Sequence, residues 1–132
     1  MEQTAKAKKP PVYLTKISRE TFDKLKEQIL HVLVVEKRYR ESGFSAHQLA
    51  EMLHTNTRYV SIVLSVRYHA NFAQFINKLR IEEAMALLQD QRYANLRIEE
   101  ISDMVGFANR QSFYRAFCQI VGKTPRQYQE QL

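Results

Sequence analysis

Polar side chains, together with Ile62, cluster in two short stretches of the chain, each with the composition of a helix surface. The first stretch holds Arg58, Ser61 and Ile62, and the second holds Arg110, Gln111, Tyr114 and Arg115. An arginine can donate two hydrogen bonds to guanine O6 and N7, a glutamine can bond adenine N6 and N7, and an exposed isoleucine can meet a thymine methyl group. We therefore expect these residues to read base edges in a major groove, unless they are ordinary solvated surface.

The patterns that catalytic and metal sites require are missing from the sequence. Serine, histidine and aspartate all occur, but without a nucleophile elbow, and there is no glycine-rich phosphate loop. The histidines His31, His47, His54 and His69 have no ligand spacing with Cys118. We therefore expect a protein that is not an enzyme and that needs neither a metal nor a cofactor.

Composition favours an anionic partner. The chain has 132 residues, a formal net charge of +6 and 45% hydrophobic residues, which fits one domain or two very small ones. The positive charge suits nucleic acid or an acidic membrane surface. A single cysteine and the lack of an apolar run of roughly 18 residues indicate a reducing cytoplasm and no membrane segment. With DNA as the partner, we expect the protein at the bacterial nucleoid.

Helical periodicity runs through most of the chain and predicts an all-α fold of about seven helices. Residues 1–19, with their lysines and two prolines, are expected to form a flexible basic N-terminal arm. A first helix is expected from about Glu20 to Arg40, because its apolar residues follow the i, i+3, i+4, i+7 spacing of one buried face.

Capping residues mark the expected helix starts. The pairs with capping-box spacing are Ser45 with Gln48, Asn71 with Gln74, and Thr124 with Gln127. Asn56 and Asn109 are expected N-caps, and Pro125 follows Thr124 at the favoured first helical position. Since helix N-termini bind phosphate groups, Asn56, Asn109 and Thr124 are expected to lie at the DNA backbone.

The two halves of the chain repeat one another. The matched apolar residues are Leu49, Leu53, Val60 and Leu64 in the first copy, and Ile101, Val105, Phe113 and Phe117 in the second. The second copy has one extra residue in its turn. Each copy predicts a short helix, a tight turn and a more basic helix, which is the helix-turn-helix plan. We expect helix-turn-helix subdomains at 20–70 and 91–132, joined by a linker helix at 71–90.

The second copy resembles the C-terminal DNA-binding domain of the AraC/XylS family of bacterial transcription regulators. The stretch EEISDMVGFANRQSFYRAFCQIVGKTPRQY, residues 99–128, carries the resemblance. Its matching positions are Gly106, Phe107, Phe113, Phe117, Gly122, Thr124, Pro125 and Tyr128. LAEML at 49–53 and FAQFINKLRIEEAMALL at 72–88 are similar to the family's upstream pattern, so the resemblance spans about residues 20–130.

The resemblance implies two helix-turn-helix units on a rigid helix, with recognition helices in neighbouring major-groove segments of double-stranded DNA. The base-facing positions it implies are Arg58, Ser61 and Ile62 in the first unit, and Arg110, Gln111 and Arg115 in the second. It also implies transcription activation, contact with RNA polymerase, and an effector or dimerisation domain outside this chain. The sequence departs from the family at His54, where glycine is common, at Ser102, where a small residue such as alanine is common, and at Gln129, where arginine is common.

Two alternatives stay open from the residues alone. The chain could be a helical protein-interaction module of the same fold, with exposed Ile62 or Tyr114 as its partner surface. Arg80, on the linker helix, could hold a phosphate or pair with Glu83 or Asp103. The aromatic residues at 107, 113, 117 and 128 have helical spacing, so they are interpreted as core residues rather than as residues that stack on DNA bases.

Overall fold

The computed structural model describes residues 17–132. The α-helices of this part of the chain are α1 (Arg19–Leu30), α2 (Ala46–Met52), α3 (Thr57–Tyr68), α4 (Phe72–Gln89), α5 (Ile98–Val105), α6 (Arg110–Val121) and α7 (Pro125–Glu130). Short 3-10 turns lie at Arg38–Arg40 and Gln91–Tyr93. Residues 17–132 contain no strand, which confirms the all-α prediction. Residues 1–16 of the expected arm lie outside the described residues. Arg19, expected to be the last residue of the arm, is the first residue of α1.

The predicted first helix is wrong in its second half. α1 ends at Leu30, a π-helical turn covers His31–Val35, and Lys37 adopts a left-handed conformation with a φ of 57°. Three valines in that segment are stiff at χ1 and weaken the α-helix. The reversal at Lys37 directs Tyr39 into the protein, where it is only 6% exposed. The valines and the reversal that buries Tyr39 together explain why α-helical structure stops short of Arg40.

The capping residues act as predicted at most helix starts. Ser45 and Gln48, Asn71 and Gln74, and Thr124 and Gln127 each exchange the two hydrogen bonds of a capping box. Arg97 is a weaker start, because its side chain cannot accept a hydrogen bond. There, only half of a box forms, with the Arg97 N–H donating to Glu100 Oε1 at 2.8 Å.

Two apolar cores lie along the chain, and α4 contributes to both. The first core includes Leu25, Ile29, Leu33, Leu49, Val60, Leu64, Phe75 and Ile76. The second includes Ile81, Ala84, Leu88, Ile101, Val105, Phe107, Phe113 and Phe117. Since successive turns of α4 pack into different cores, this one helix fixes the two halves of the protein to each other. Within residues 17–132, no helix combines the length and the apolar character needed to cross a lipid bilayer.

Candidate nucleic-acid interface

The two helix pairs α2–α3 and α5–α6 have the same local geometry. In the first turn His54 is left-handed, with a φ of 55°, and Asn56 caps α3. In the second turn Gly106 is left-handed, with a φ of 111°, and Asn109 caps α6. The second turn has one more residue between its left-handed position and its cap. Each pair is therefore a helix-turn-helix unit whose second helix starts at an asparagine.

The outer surface of α6 carries most of the predicted polar residues. Gln111 and Arg115 are exposed, and Tyr114 is half-buried. The Arg110 side chain is 65% exposed, with Nη1 4.0 Å from Glu99 Oε2. Its Cζ lies 5.0 Å from the centre of the Tyr114 ring, which is within cation–π range. Tyr114 therefore supports an arginine at the exposed start of this helix.

The outer surface of α3 is poorer in long polar side chains. Arg58 and Ser61 are exposed, but Ile62 is only 5% exposed, so the prediction that it faces outward is wrong. The VSIVL run at 60–64 widens the apolar face of α3 until it includes this position, a signal already present in the sequence. Burial of Ile62 also removes one of the two side chains on which the protein-interaction alternative depended. In the repeat, Ile62 corresponds to the exposed Arg115.

Three cap residues lie where the helix N-termini meet solvent. Asn56 Oδ1 accepts from the Tyr59 N–H at 2.8 Å, and Asn109 Oδ1 accepts from the Ser112 N–H at 2.8 Å. Thr124 Oγ1 accepts from the Gln127 N–H at 3.1 Å. In each case the cap uses the oxygen as acceptor, which leaves the amide or hydroxyl hydrogens of the same side chain able to donate.

A cluster of aromatic rings in edge-to-face contact packs against the inner face of α6. Phe113 and Phe117 are fully buried and Phe107 is 4% exposed, which confirms that they belong to the core. Phe113 meets Phe107 and Phe117 edge-on at centroid distances of 5.4 and 5.7 Å, and Phe117 meets the half-buried Tyr128 at 5.7 Å. Edge-to-face pairs of this kind fix ring orientation as well as adding stability. The outward face of α6 is therefore presented on a rigid base.

A polar junction connects the 3-10 turn at Arg38–Arg40 to α4. Arg40 forms a two-pronged ion pair with Glu83, and the Tyr39 hydroxyl donates to Glu83 Oε1 at 2.9 Å. Burial opposes the charge on Glu83, but the hydrogen bonds from Arg40 and Tyr39 outweigh it and hold the pKa of Glu83 below its ordinary value. Burial, together with the bond to Glu83, raises the pKa of Tyr39 to about 12, so the phenol stays a donor.

The turn of the second unit packs directly on this junction. A Cβ atom at Gly106 would lie 2.4 Å from the Tyr39 carbonyl oxygen, so only glycine fits there. Arg80 pairs with neither Glu83 nor Asp103 and donates instead to backbone, from Nε to Tyr39 O at 2.7 Å and from Nη2 to Glu41 O at 3.1 Å. The two helix-turn-helix units are thus joined by the Tyr39–Glu41 backbone as well as by α4.

Comparison with known proteins agrees with this geometry. Residues 49–131 match the model of a helix-turn-helix domain family. YtdP, an HTH-type transcriptional regulator of Bacillus subtilis, is 24% identical over 110 residues, a match that covers 83% of this chain and 14% of the relative. The chain therefore spans about a seventh of the length of that relative.

Solved structures of similar fold come from other bacteria. The C-terminal domain of the two-component response regulator yesN from Fusobacterium nucleatum is 28% identical, with a TM-score of 0.66 over 81% of this chain and 96% of that one. The C-terminal domain of AraT, a response regulator from Geobacillus stearothermophilus, is 25% identical, with a TM-score of 0.70 over 89% of this chain and 88% of that one. These folds are those of DNA-binding regulators rather than of enzymes. The chain belongs to the AraC-type family of helix-turn-helix DNA-binding domains.

Proposed function

We propose that this chain binds double-stranded DNA in a sequence-specific way and reads two adjacent major-groove segments, one with α3 and one with α6. The repeat itself carries the proposal, because each unit has an asparagine-capped second helix with an exposed arginine, Arg58 in one and Arg115 in the other. Helix-turn-helix proteins insert the N-terminal part of the second helix into the groove. Arg58 is the second residue of α3, and Arg115 lies in the first half of α6.

Base reading and backbone contact fall to different residues in this proposal. Arg115 and Gln111 discriminate bases in the segment entered by α6, with Arg110 beside them on its Tyr114 support. Arg58 and Ser61 discriminate bases in the segment entered by α3. The donors left over on the caps Asn56, Asn109 and Thr124 hold phosphates and so fix the register of each helix on the duplex.

The distance between the two DNA segments that α3 and α6 contact follows from the junction between the units. α4, the Arg40–Glu83 ion pair and the Gly106 contact leave little freedom between α2–α3 and α5–α6. Recognition helices on one face of B-DNA reach successive major-groove segments about 34 Å apart, one helical turn. A rigid connection therefore favours operators whose two motifs keep one fixed separation.

We further propose that the chain acts within a regulator that activates transcription. The regulators to which it is similar are named as transcriptional or response regulators, and the chain matches only 14% of the length of the Bacillus relative. An effector-binding or dimerisation domain would then lie in other parts of the full regulator, and RNA polymerase would be its partner at the promoter. A reporter whose output rises when an operator is placed upstream would support activation, and a fall would support repression.

Two substitutions at Arg115 separate base reading from charge. Lysine keeps the positive charge but loses the planar fork that bonds guanine at two points, whereas alanine loses both. On a selected operator, we expect Arg115→Lys to relax the preference at one base position while keeping affinity for random duplex within about twofold. Arg115→Ala should relax the same position and also weaken binding to every sequence. If Arg115→Lys leaves the base preference unchanged, Arg115 is a phosphate contact and its assignment as a base reader fails.

A further inference from the structure

A polar cleft separates the linker helix α4 from the recognition helix α6. Its volume is about 330 Å³, and its polar lining comes from Ser42, Asn77, Arg80, Ser112, Arg115 and Gln119. Phe107, Ala108 and Ala116 complete the wall, so no carboxylate lines the cleft among the described residues. Two guanidinium groups and neutral donors therefore face one space.

Arg80 lies at the base of this cleft as a buried cation. Its residue surface is 8% exposed, and its described hydrogen bonds go only to the carbonyl oxygens of Tyr39 and Glu41. Between residues 17 and 132, no carboxylate lies within ion-pair distance of it. The nearby acids are already engaged, Glu41 with Arg38 and Glu83 with Arg40. Burial lowers the pKa of Arg80, but a guanidinium stays protonated at any physiological pH, so its charge is not neutralised by these neighbours.

Arg80 also has donors to spare. A guanidinium carries five N–H groups, and the bonds to Tyr39 and Glu41 use two of them. Among residues 17–132, Ser102 Oγ is the one fully buried side-chain polar atom that lacks a hydrogen-bond partner. No nitrogen of Arg80 is both fully buried and without a partner. Arg80 Nη1, which makes no described hydrogen bond, is therefore accessible to solvent, and Arg80 is one of the residues that line the cleft. The two carbonyl oxygens and the Phe107 ring, whose centre lies 5.4 Å from Arg80 Cζ, carry no full negative charge. An anion in the cleft would supply the counter-charge that a buried cation lacks.

We propose that this cleft binds a backbone phosphate of DNA where a strand passes between the two recognition helices. The identity of the ligand rests on the proposed function, because Arg115 belongs both to the cleft and to the exposed face of α6. DNA docked on that face brings its backbone to the mouth of the cleft. Asn77, Ser112 and the free Arg80 donors then bond the phosphate oxygens, in the way that phosphate contacts fix register without reading sequence.

Asn77→Asp tests the proposal with minimal change of shape, since it converts a donor into a negative charge inside the cleft. Asn95→Asp is the matched control, because Asn95 is exposed in the turn before α5 and does not line the cleft. Both affinities would be measured on a selected operator and on random duplex, over a range of salt. Thermal unfolding of each variant would show that it is folded.

We expect Asn77→Asp to weaken binding to both duplexes by about tenfold and to reduce the salt slope by about one. Asn95→Asp should stay within about twofold of the parent chain. One neutral methylphosphonate between the two motifs should weaken the parent by about tenfold and add nothing in Asn77→Asp. Equal affinities of the two variants for DNA would overturn the proposal.

Two further outcomes are distinct. If the parent shows no base preference but Asn77→Asp still weakens binding to random duplex, sequence reading fails and the phosphate cleft stands. If inorganic phosphate alone binds saturably at the Asn77 amide, as followed by NMR, while Asn77→Asp leaves DNA affinity unchanged, the cleft holds a small anion. That result would overturn its assignment to the DNA backbone.

Discussion

Ser102 places a hydroxyl inside the second core without a hydrogen-bond partner among the described residues. It is 2% exposed, and it occupies a position where the family resemblance implies a small residue such as alanine. An unsatisfied buried hydroxyl costs stability. We expect Ser102→Ala to raise the free energy of unfolding by about 1 kcal/mol more than the exposed helical control Ser65→Ala. Urea denaturation measures both, and a loss of stability in Ser102→Ala would show that the hydroxyl has a partner.

Gly106 is the residue on which the contact between the two units depends. With a φ of 111° and the Tyr39 carbonyl oxygen 2.4 Å from a would-be Cβ, alanine there is both strained and obstructed. We expect Gly106→Ala to lower the free energy of unfolding by about 2 kcal/mol or more. Gly43→Ala is the control, because a Cβ at Gly43 would meet nothing within 4 Å. Similar losses in the two variants would contradict the close approach.

Not every residue role was predictable from local pattern. Helical spacing identifies Phe113 and Phe117 as core, because residues four positions apart lie on the same face of a helix, and both are buried. The Val60 and Leu64 pair predicts an inner face of α3 that leaves Ile62 at the surface, but the buried face is wider and includes Ile62. For Arg80 the sequence predicts a phosphate or a carboxylate partner, but not the two backbone carbonyls, about forty residues away, that accept its hydrogen bonds. No local signal announces such a contact.

At the scale of elements, caps and turn residues were the most predictable features. An N-cap depends on three or four consecutive residues, so Ser45, Asn56, Asn109 and Thr124 could be located from sequence alone. The end of the first helix could not, because Lys37 takes a left-handed conformation that brings Tyr39 and Arg40 onto α4. That choice belongs to tertiary packing and to Glu83, which is far away in sequence.

The ion pair between the 3-10 turn and α4 should give stability a defined acid dependence. The pKa of Glu83 lies below its ordinary value of 4.5, so its charged form stabilises the fold above that pH and loses the effect as pH falls through the lowered pKa. We expect Glu83→Gln to cost about 1 kcal/mol at pH 7, because the half-exposed Arg40 is screened by water. The difference from the parent should shrink below pH 4.5.

Glu82→Gln serves as the control for this measurement, since Glu82 is the exposed neighbour on the same helix. Chemical denaturation between pH 3 and pH 8 would be followed for all three chains. A Glu83→Gln penalty that stays constant down to the lowest pH would show that the loss comes from packing rather than from the charge.

Across the whole molecule, the two proposed recognition surfaces are unequal. α6 offers Arg110, Gln111 and Arg115, whereas α3 offers Arg58 and Ser61 because Ile62 is buried. Each bidentate side chain can discriminate against a wrong base by about 1–3 kcal/mol. We therefore expect the half-site read by α6 to specify more base positions than the half-site read by α3. In selected DNA, Arg58→Ala should relax the weaker motif and leave the stronger one intact.

The measurement that tests the central claim most directly is selection of fragments from a random duplex pool by the purified chain at near-physiological salt. We expect two short motifs at one fixed separation of about one helical turn, with the longer motif altered by Arg115→Ala and the shorter one by Arg58→Ala. Enrichment of no motif, with only weak and steeply salt-dependent binding, would contradict sequence reading by this chain alone. Absence of any DNA binding would contradict the DNA-binding function itself.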